Sequence, residues 1–403
     1  MLKKALQNYL KFFAKRYLKR SKCQIIAITG SVGKTSTKEA IFNVLSIKYK
    51  NKIRKSEGNL NNETGVPLAI LDYKKGPTYN QNKLGWLPIV LTVPFKSLFL
   101  SKVELLVLEM AADKPGDIKY LMSIAKPNVS VLTAIAPAHL EAFGEIENIV
   151  EEKTEIFRAL DREGWAIINV ENEYVKKTFY GGWWHKKSYG INEKADVYAT
   201  NIKYSIENGK PETQYEINYE KQKLAVKQNT IGLPAVLSNL AAFAAAKIYN
   251  LDSLDIVDAI EKTKSFKHRT EVLEGKNNSV IIDDCYNANP VSMRAAIDIL
   301  QNLPIKHQGR KIIVLGDMRE IGKKSAEDHK SIGEYAKQAS DIFIAVGKSA
   351  KNYMAEKYFL DLDKVTDYLL SEIKENDIIL LKASRGAGSE PMLWPVVKKL
   401  KKE

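Results

Sequence analysis

Apolar and polar positions along the chain follow two periods, and their alternation outlines most of the elements. Leu2, Leu6, Tyr9, Leu10, Phe13 and Tyr17 recur at helical spacing. Lys3, Lys4, Lys11, Lys15, Lys19 and Arg20 fall mostly elsewhere around the same helix, which is expected over 2–22. The apolar run 24–28 predicts a buried strand, and 36–47 a helix. Strands are expected again at 103–108, 129–135 and 165–169, with helices at 117–125 and 151–160. That alternation predicts a largely parallel sheet. From 198 to 226 the pattern turns alternating and polar, with Asn208-Gly209 as a turn, which predicts antiparallel hairpins. An alanine-rich helix follows at 238–249. Beyond 264–270 strands at 280–284, 311–315, 341–346 and 377–381 alternate with helices at 291–300, 326–339 and 365–373. This is the pattern of a second, Rossmann-like α/β unit.

One stretch breaks the pattern. Residues 84–100 are unusually apolar, yet Pro88, Pro94 and Lys96 interrupt them and they are short for a membrane span. A buried hairpin and a membrane-touching insert both remain open, with burial or a partner contact favoured.

Composition changes this picture little. Hydrophobic residues at 45% and charged residues at 27% are ordinary for a globular chain, and 403 residues suggest two or three domains. The formal charge of +14 favours anionic partners without choosing among them. The basic residues are dispersed and no nucleic-acid motif is present, so nucleic acid is not an expected partner. Cys23 and Cys285 are the only cysteines, which excludes a disulfide framework and a zinc site built on cysteines and fits a reducing cytoplasm. Lysines and arginines interrupt the N-terminal stretch, so it does not read as a signal peptide. A basic amphipathic helix there either lies on a membrane surface or packs on its own domain, and packing is the commoner fate.

The chemistry begins just after the first strand. Gly30-Ser31-Val32-Gly33-Lys34-Thr35-Ser36 joins a strand to a helix. Strand, glycine loop, Gly-Lys-Thr and helix make a phosphate cradle, in which backbone N–H groups face phosphate oxygens. Lys34 suits the β- and γ-phosphates and the Thr35 hydroxyl suits Mg²⁺. The usual pattern wants glycine at 28, where Ile28 stands. Glu109 and His139 fall, like the cradle, at the carboxyl ends of expected strands, where ligands sit in open α/β sheets. Alone, Glu109 reads equally as a surface salt-bridge partner and His139 as a hydrogen-bonded loop histidine.

Taken in order, several motifs resemble the Mur ligases. They are Thr29 to Glu39, Asn61-Asn62-Glu63-Thr64-Gly65-Val66-Pro67, Glu109-Met110-Ala111-Ala112 with Pro115-Gly116-Asp117-Ile118, and Pro137-Ala138-His139-Leu140-Glu141 with Phe143-Gly144. Asp283 to Pro290, Val314 to Glu320 and Lys382-Ala383-Ser384-Arg385-Gly386 complete the series. The resemblance implies a central P-loop ATPase domain over 23–266 and a C-terminal Rossmann-like domain over 267–403, after the basic helix of 1–22. It implies an ATP- and Mg²⁺-dependent carboxylate–amine ligase working through an acyl phosphate. The expected step adds D-Ala-D-Ala to a UDP-N-acetylmuramoyl-tripeptide-like acid in peptidoglycan assembly. Amidation of another acid (a poly-amino acid, a folate-like chain or a lipid-linked precursor) and a nucleotide-binding scaffold without ligase activity stay open. The expected partners are small molecules, a peptidyl acid and an amino acid or dipeptide, met by a monomer, with peripheral membrane contact left open for the basic helix and 84–100.

The resemblance also assigns residues. Glu109 and His139 fall to the metal end with Thr35, and Lys153 falls where the family carries a carbamylated lysine. A solvated helix lysine paired with Glu151 or Glu155 is the plainer reading of Lys153. Arg269, Asp284 and Asn287 resemble the nucleotide contacts made from the second domain, while Asn61, Asn62 and Arg385 fall to the substrates. Tyr286 and Lys311 are expected to be structural. Two departures stand out. The family carries a UDP-sugar-binding domain ahead of the phosphate loop, where this sequence has the basic helix, so a missing, reduced or replaced grip on UDP is expected. The family's Gly-x-His-x-x-x-Asn stretch here reads Gly232-Leu233-Pro234-Ala235-Val236-Leu237-Ser238, with Pro234 and Ser238 at the His and Asn positions.

Overall fold

A computed structural model describes residues 2–77, 84–137, 140–191, 194–207, 209–263, 265–319, 321–386 and 390–402. Two sheets carry the architecture. The first comprises β1 (Gln24–Thr29), β2 (Ile53–Lys55), β3 (Leu105–Glu109), β4 (Val129–Leu132), β5 (Trp165–Asn169), β6 (His185–Gly190), β7 (Val197–Glu207), β8 (Lys210–Tyr219) and β9 (Gln222–Gln228). Their order is β2-β3-β1-β4-β5-β6-β7-β8-β9. Pairing is parallel from β2 to β7 and antiparallel from β7 to β9. The hairpins therefore extend the sheet instead of forming a separate layer. Asn208, at the expected turn, lies outside the described residues.

The central strands β1, β3 and β4 are buried almost throughout, as parallel strands covered on both faces must be. One face packs against the helices Leu2–Ser21, Gly65–Ile70 and Ile146–Arg158. The other is covered by Lys34–Tyr49 and Leu233–Ile248. The expected helix at 2–22 is Leu2–Ser21, with Leu10, Ala14 and Tyr17 fully buried. Packing on its own domain accounts for that face.

The second sheet holds β10 (Glu271–Glu274), β11 (Val280–Asp283), β12 (Lys311–Gly316), β13 (Ile342–Val346), β14 (Lys357–Phe359) and β15 (Ile378–Lys382), ordered β10-β11-β15-β12-β13-β14. All its pairs are parallel except β10 with β11. Helices Pro290–Asn302, Ser325–Gln338 and Leu362–Glu372 alternate with the strands.

Of the alternatives for 84–100, the buried hairpin is overturned. The stretch is a helix, Trp86–Phe99. Pro88 sits in its first turn, where the missing N–H has no intrahelical partner to lose. Trp86, Ile89, Val93 and Ser97 recur at helical spacing and are the buried positions. Among the described residues no helix is long and apolar enough to cross a membrane.

Candidate active site

The cradle forms where β1 ends. Gly30 has φ 151° and Gly33 has φ 84°, conformations that suit glycine. A Cβ on Gly30 would lie 2.0 Å from the Thr133 hydroxyl, so only glycine lets the loop pass the end of β4. The same hydroxyl donates to the Val32 carbonyl at 2.6 Å, and Ser31 N–H donates to Ala134 O at 2.6 Å. The β4 end is pinned from its other side. Asn169 donates to Thr133 O at 2.7 Å and Asn172 to Ile135 O at 2.9 Å. The loop is thus braced before any phosphate arrives. Lys34 Nζ meanwhile donates to Gly30 O at 2.7 Å and Ser31 O at 3.2 Å. Burial lowers its pKa below the usual lysine value, with Arg269 adding to the shift and Glu109 and Asp113 opposing it.

Glu109 closes the β3 end beside the cradle. Its carboxylate is only 3% exposed. Oε1 accepts from Asn61 Nδ2 at 2.9 Å, and Lys38 Nζ stands 3.7 Å from Oε2. Among the described residues Oε2 is buried with no hydrogen-bond partner. Lys38 offsets part of the cost of burying that anionic oxygen, but at 3.7 Å it makes no hydrogen bond, so a closer cation or donor would still stabilise it. A hard divalent cation is the partner this oxygen suits, so Glu109 and the Thr35 hydroxyl fit Mg²⁺ chemically. Glu109 is therefore no surface salt-bridge residue. His139 lies outside the described residues.

Lys153 is buried on the helix Ile146–Arg158. The solvated pairing with Glu151 or Glu155 is corrected here, because Glu155 pairs with Arg158 and Lys153 turns inward. Burial drives its pKa from 10.5 to about 7, helped by the Lys34 charge and opposed by Glu152, Asp113 and Asp117. Its neighbour Glu152 is committed elsewhere, accepting from Gly116 N at 2.7 Å and Ile118 N at 2.6 Å.

The second sheet presents its strand ends to the same space. A cleft of about 1050 Å³ is lined by Lys34, Thr35 and Glu109 from one side and by Arg269, Tyr286 and Arg385 from the other. Ser31, Val32, Gly33, Ser36, Asn61, Asn62, Asp284 and Asn287 line it too. Arg269 reaches across to donate to Thr35 Oγ1 at 3.4 Å. The backbone on each side of Arg269 is left-handed, with φ 61° at His268 and 48° at Thr270. His268 is fixed by Asp283 at 2.7 Å and by its own N–H to Glu271, and Thr270 N–H donates to Asp284 at 3.1 Å. This framework aims Arg269 at the cradle.

Tyr286, expected to be structural, stands in the cleft. The guanidinium carbons of Arg269 and Arg385 lie 3.9 Å and 4.3 Å from its ring centroid, and its hydroxyl donates to Asn59 at 3.0 Å. Arg385 also hydrogen-bonds that hydroxyl. Asp284 binds Lys382 Nζ at 2.5 Å, and the same ammonium donates to Asn287 O at 2.9 Å. Asn62 Oδ1 accepts from Gly65 N at 2.9 Å, so that oxygen shapes its own turn. The sequence assigns no role to Lys38 or Lys382 and only a structural one to Tyr286. Lys38 follows the cradle at one helical turn from Lys34, the one signal that could have found it. Ser238 donates to Pro234 O at 2.9 Å, and the next residue, Asn239, lines the cleft.

Residues 28–246 match the Mur ligase middle domain, and residues 268–385 match the Mur ligase, glutamate ligase domain. The chain is 30% identical over 401 residues to the UDP-N-acetylmuramoyl-tripeptide–D-alanyl-D-alanine ligase of Bacillus subtilis, covering 96% of this chain and 79% of that one. The Escherichia coli ligase of the same name is 29% identical over 382 residues, covering 92% and 76%. Among solved structures, MurF ligase from Thermotoga maritima in complex with ADP superposes with a TM-score of 0.81 at 28% identity, covering 98% of this chain and 83% of that one.

Proposed function

The chain belongs to the Mur ligase family, and we propose that it joins D-Ala-D-Ala to a UDP-N-acetylmuramoyl-tripeptide-like acid with ATP, through an acyl phosphate. In that reaction a substrate carboxylate oxygen attacks the γ-phosphorus and ADP leaves. The amine nitrogen then attacks the acyl carbon, phosphate leaves, and the amine gives up a proton. Relatives carrying that activity in their names support the substrate pair.

The observation that carries the reading is the buried Glu109 oxygen, without a hydrogen bond among the described residues and met by Lys38 only at 3.7 Å, beside a braced phosphate cradle. Phosphoryl transfer depends mostly on position and charge neutralisation. Backbone N–H groups of 31–36 and Lys34 would hold the phosphates, with Lys34 exchanging its loop carbonyls for phosphate oxygens. Thr35 and Glu109 would hold Mg²⁺, with His139 as a further ligand; bound there, the ion neutralises phosphate charge. Arg269 adds a second cation from across the cleft, and Asp284 and Asn287 flank it as nucleotide contacts. Arg385 suits the dipeptide's carboxylate, and Asn61 orients Glu109 toward the acid end. Lys153, with an amine near half-neutral at pH 7, is suited to carbamylation by CO₂, which would turn a buried cation into an anion facing Lys34. We divide the chain functionally into the basic helix of 1–22, an ATP-binding part at 23–266 and a closing part at 267–403.

The test is release of ADP with UDP-N-acetylmuramoyl-tripeptide plus D-Ala-D-Ala. Release that requires both substrates supports the reading. Confirmed ATP binding with no release above background would sink the substrate pair.

A further inference from the structure

The helix Trp86–Phe99 presents an outer face that the ligase reading does not use. Leu87, Leu91 and Phe95 form one row along it, 58%, 62% and 66% exposed, and Phe99 continues the row at 77%. Contiguous exposed apolar surface of this kind marks an interaction site. The face carries no charge. Lys96 is the only ionisable residue of the helix, and its ammonium turns inward to Asp72 O at 2.9 Å and over the Tyr73 ring at 3.9 Å.

Beside it runs the helix Leu2–Ser21. The two pack together, Tyr9 donating to Val90 O at 2.8 Å, and Tyr17 donates to Ser101 O, just past the second helix, at 2.9 Å. The sequence of Leu2–Ser21 holds no Asp or Glu, and Lys3, Lys4, Lys15, Arg16 and Lys19 are exposed on it. None of these residues lines the catalytic cleft.

We propose that these two helices form one docking surface for an anionic phospholipid bilayer. An uncharged apolar row next to a helix whose charges are all basic matches what such a surface offers: hydrocarbon below and anionic headgroups around it. A second copy of the chain is the poorer occupant, because joining the same faces would bring two basic helices together. The mode is peripheral, since neither helix is long and apolar enough to span.

Flotation of the full chain with phosphatidylglycerol–phosphatidylcholine vesicles, against pure phosphatidylcholine vesicles, tests the proposal. Binding to the anionic vesicles is expected, falling steeply with salt. Leu87→Gln/Leu91→Gln/Phe95→Gln lowers that partition by at least about tenfold with an unchanged circular dichroism spectrum and unchanged nucleotide binding. Lys3→Gln/Lys4→Gln/Lys15→Gln/Lys19→Gln removes the preference for the anionic lipid. No flotation with the anionic vesicles overturns the proposal. So does flotation that the apolar variant leaves unchanged, or a dimer in sedimentation velocity that this variant abolishes.

Discussion

Replacing Lys153 by methionine should stabilise the protein near neutral pH while removing a group proposed for catalysis. The folded-state pKa of Lys153 is lowered, from 10.5 to about 7. Below about pH 7 the ammonium is charged in both states, and the full cost of burying it falls on the native state. As pH rises toward 10.5 the native state sheds its proton first, and the cost is progressively released. One pKa unit is about 1.4 kcal/mol, so the displacement costs on the order of 4 kcal/mol at pH 7 and about 2 kcal/mol at pH 9. Methionine matches the aliphatic stem and carries no charge, so Lys153→Met has no such slope. Urea unfolding in bicarbonate-free buffer, followed by tryptophan fluorescence, reads the difference. Between pH 7 and pH 9 the wild type should gain about 2 kcal/mol relative to the variant. A wild-type-minus-variant difference that is flat with pH would refute the reasoning, as would a variant less stable at pH 7. Bicarbonate added to the wild type should restore stability at pH 7, because a carbamate removes the cation.

Three further outcomes follow from the site. Glu109→Gln keeps the hydrogen bond to Asn61 and removes the anion, so ATP-dependent turnover should fall by about two to three orders of magnitude, with the Mg²⁺ requirement shifted to higher concentration and nucleotide binding retained in equilibrium dialysis. Gly30→Ala forces a Cβ against Thr133, 2.0 Å from its hydroxyl at φ 151°, and should cost about 1–3 kcal/mol of stability with loss of nucleotide binding by calorimetry. Tyr286→Ala frees both guanidinia and should raise the KM for ATP by about five- to tenfold, whereas Tyr286→Phe keeps the stacking and should change it less; equal effects of the two variants would show that the hydroxyl, not the ring, matters.

Local pattern made much of this molecule legible, and its failures have physical causes. Buried parallel strands such as Leu105–Glu109 read as apolar runs because both faces are covered. β6, His185-Lys186-Lys187-Ser188-Tyr189-Gly190, gave no such signal, because it is recruited by its neighbour β5 more than by its own side chains. The period of the helix Trp86–Phe99 is masked in the sequence by two prolines and an apolar outer face. In the site, the cradle was legible because its geometry is local. Tyr286 was not, because its role arises only when Asn59, Arg269 and Arg385 meet it from distant parts of the chain.

That meeting bears on how the cleft works. The first sheet supplies a cradle already braced by Thr133, Asn169 and Asn172, and a carboxylate already held by Asn61. The second supplies cations, Arg269 and Arg385, mounted on one aromatic ring. Polar contacts across the cleft among the described residues include Arg269 on Thr35 at 3.4 Å and Tyr286 on Asn59 at 3.0 Å. Thr35 is also the hydroxyl suited to Mg²⁺, so Arg269 occupies the place a cation would take. Nucleotide and metal arriving at the cradle would displace that contact and give Arg269 phosphate oxygens instead, a stronger, charge-assisted partner. A bound nucleotide would then add a charge-assisted tie between the sheets, beside the apolar packing of Tyr204, Ile206 and Ile231 on the core of the second, and would favour closure of the cleft.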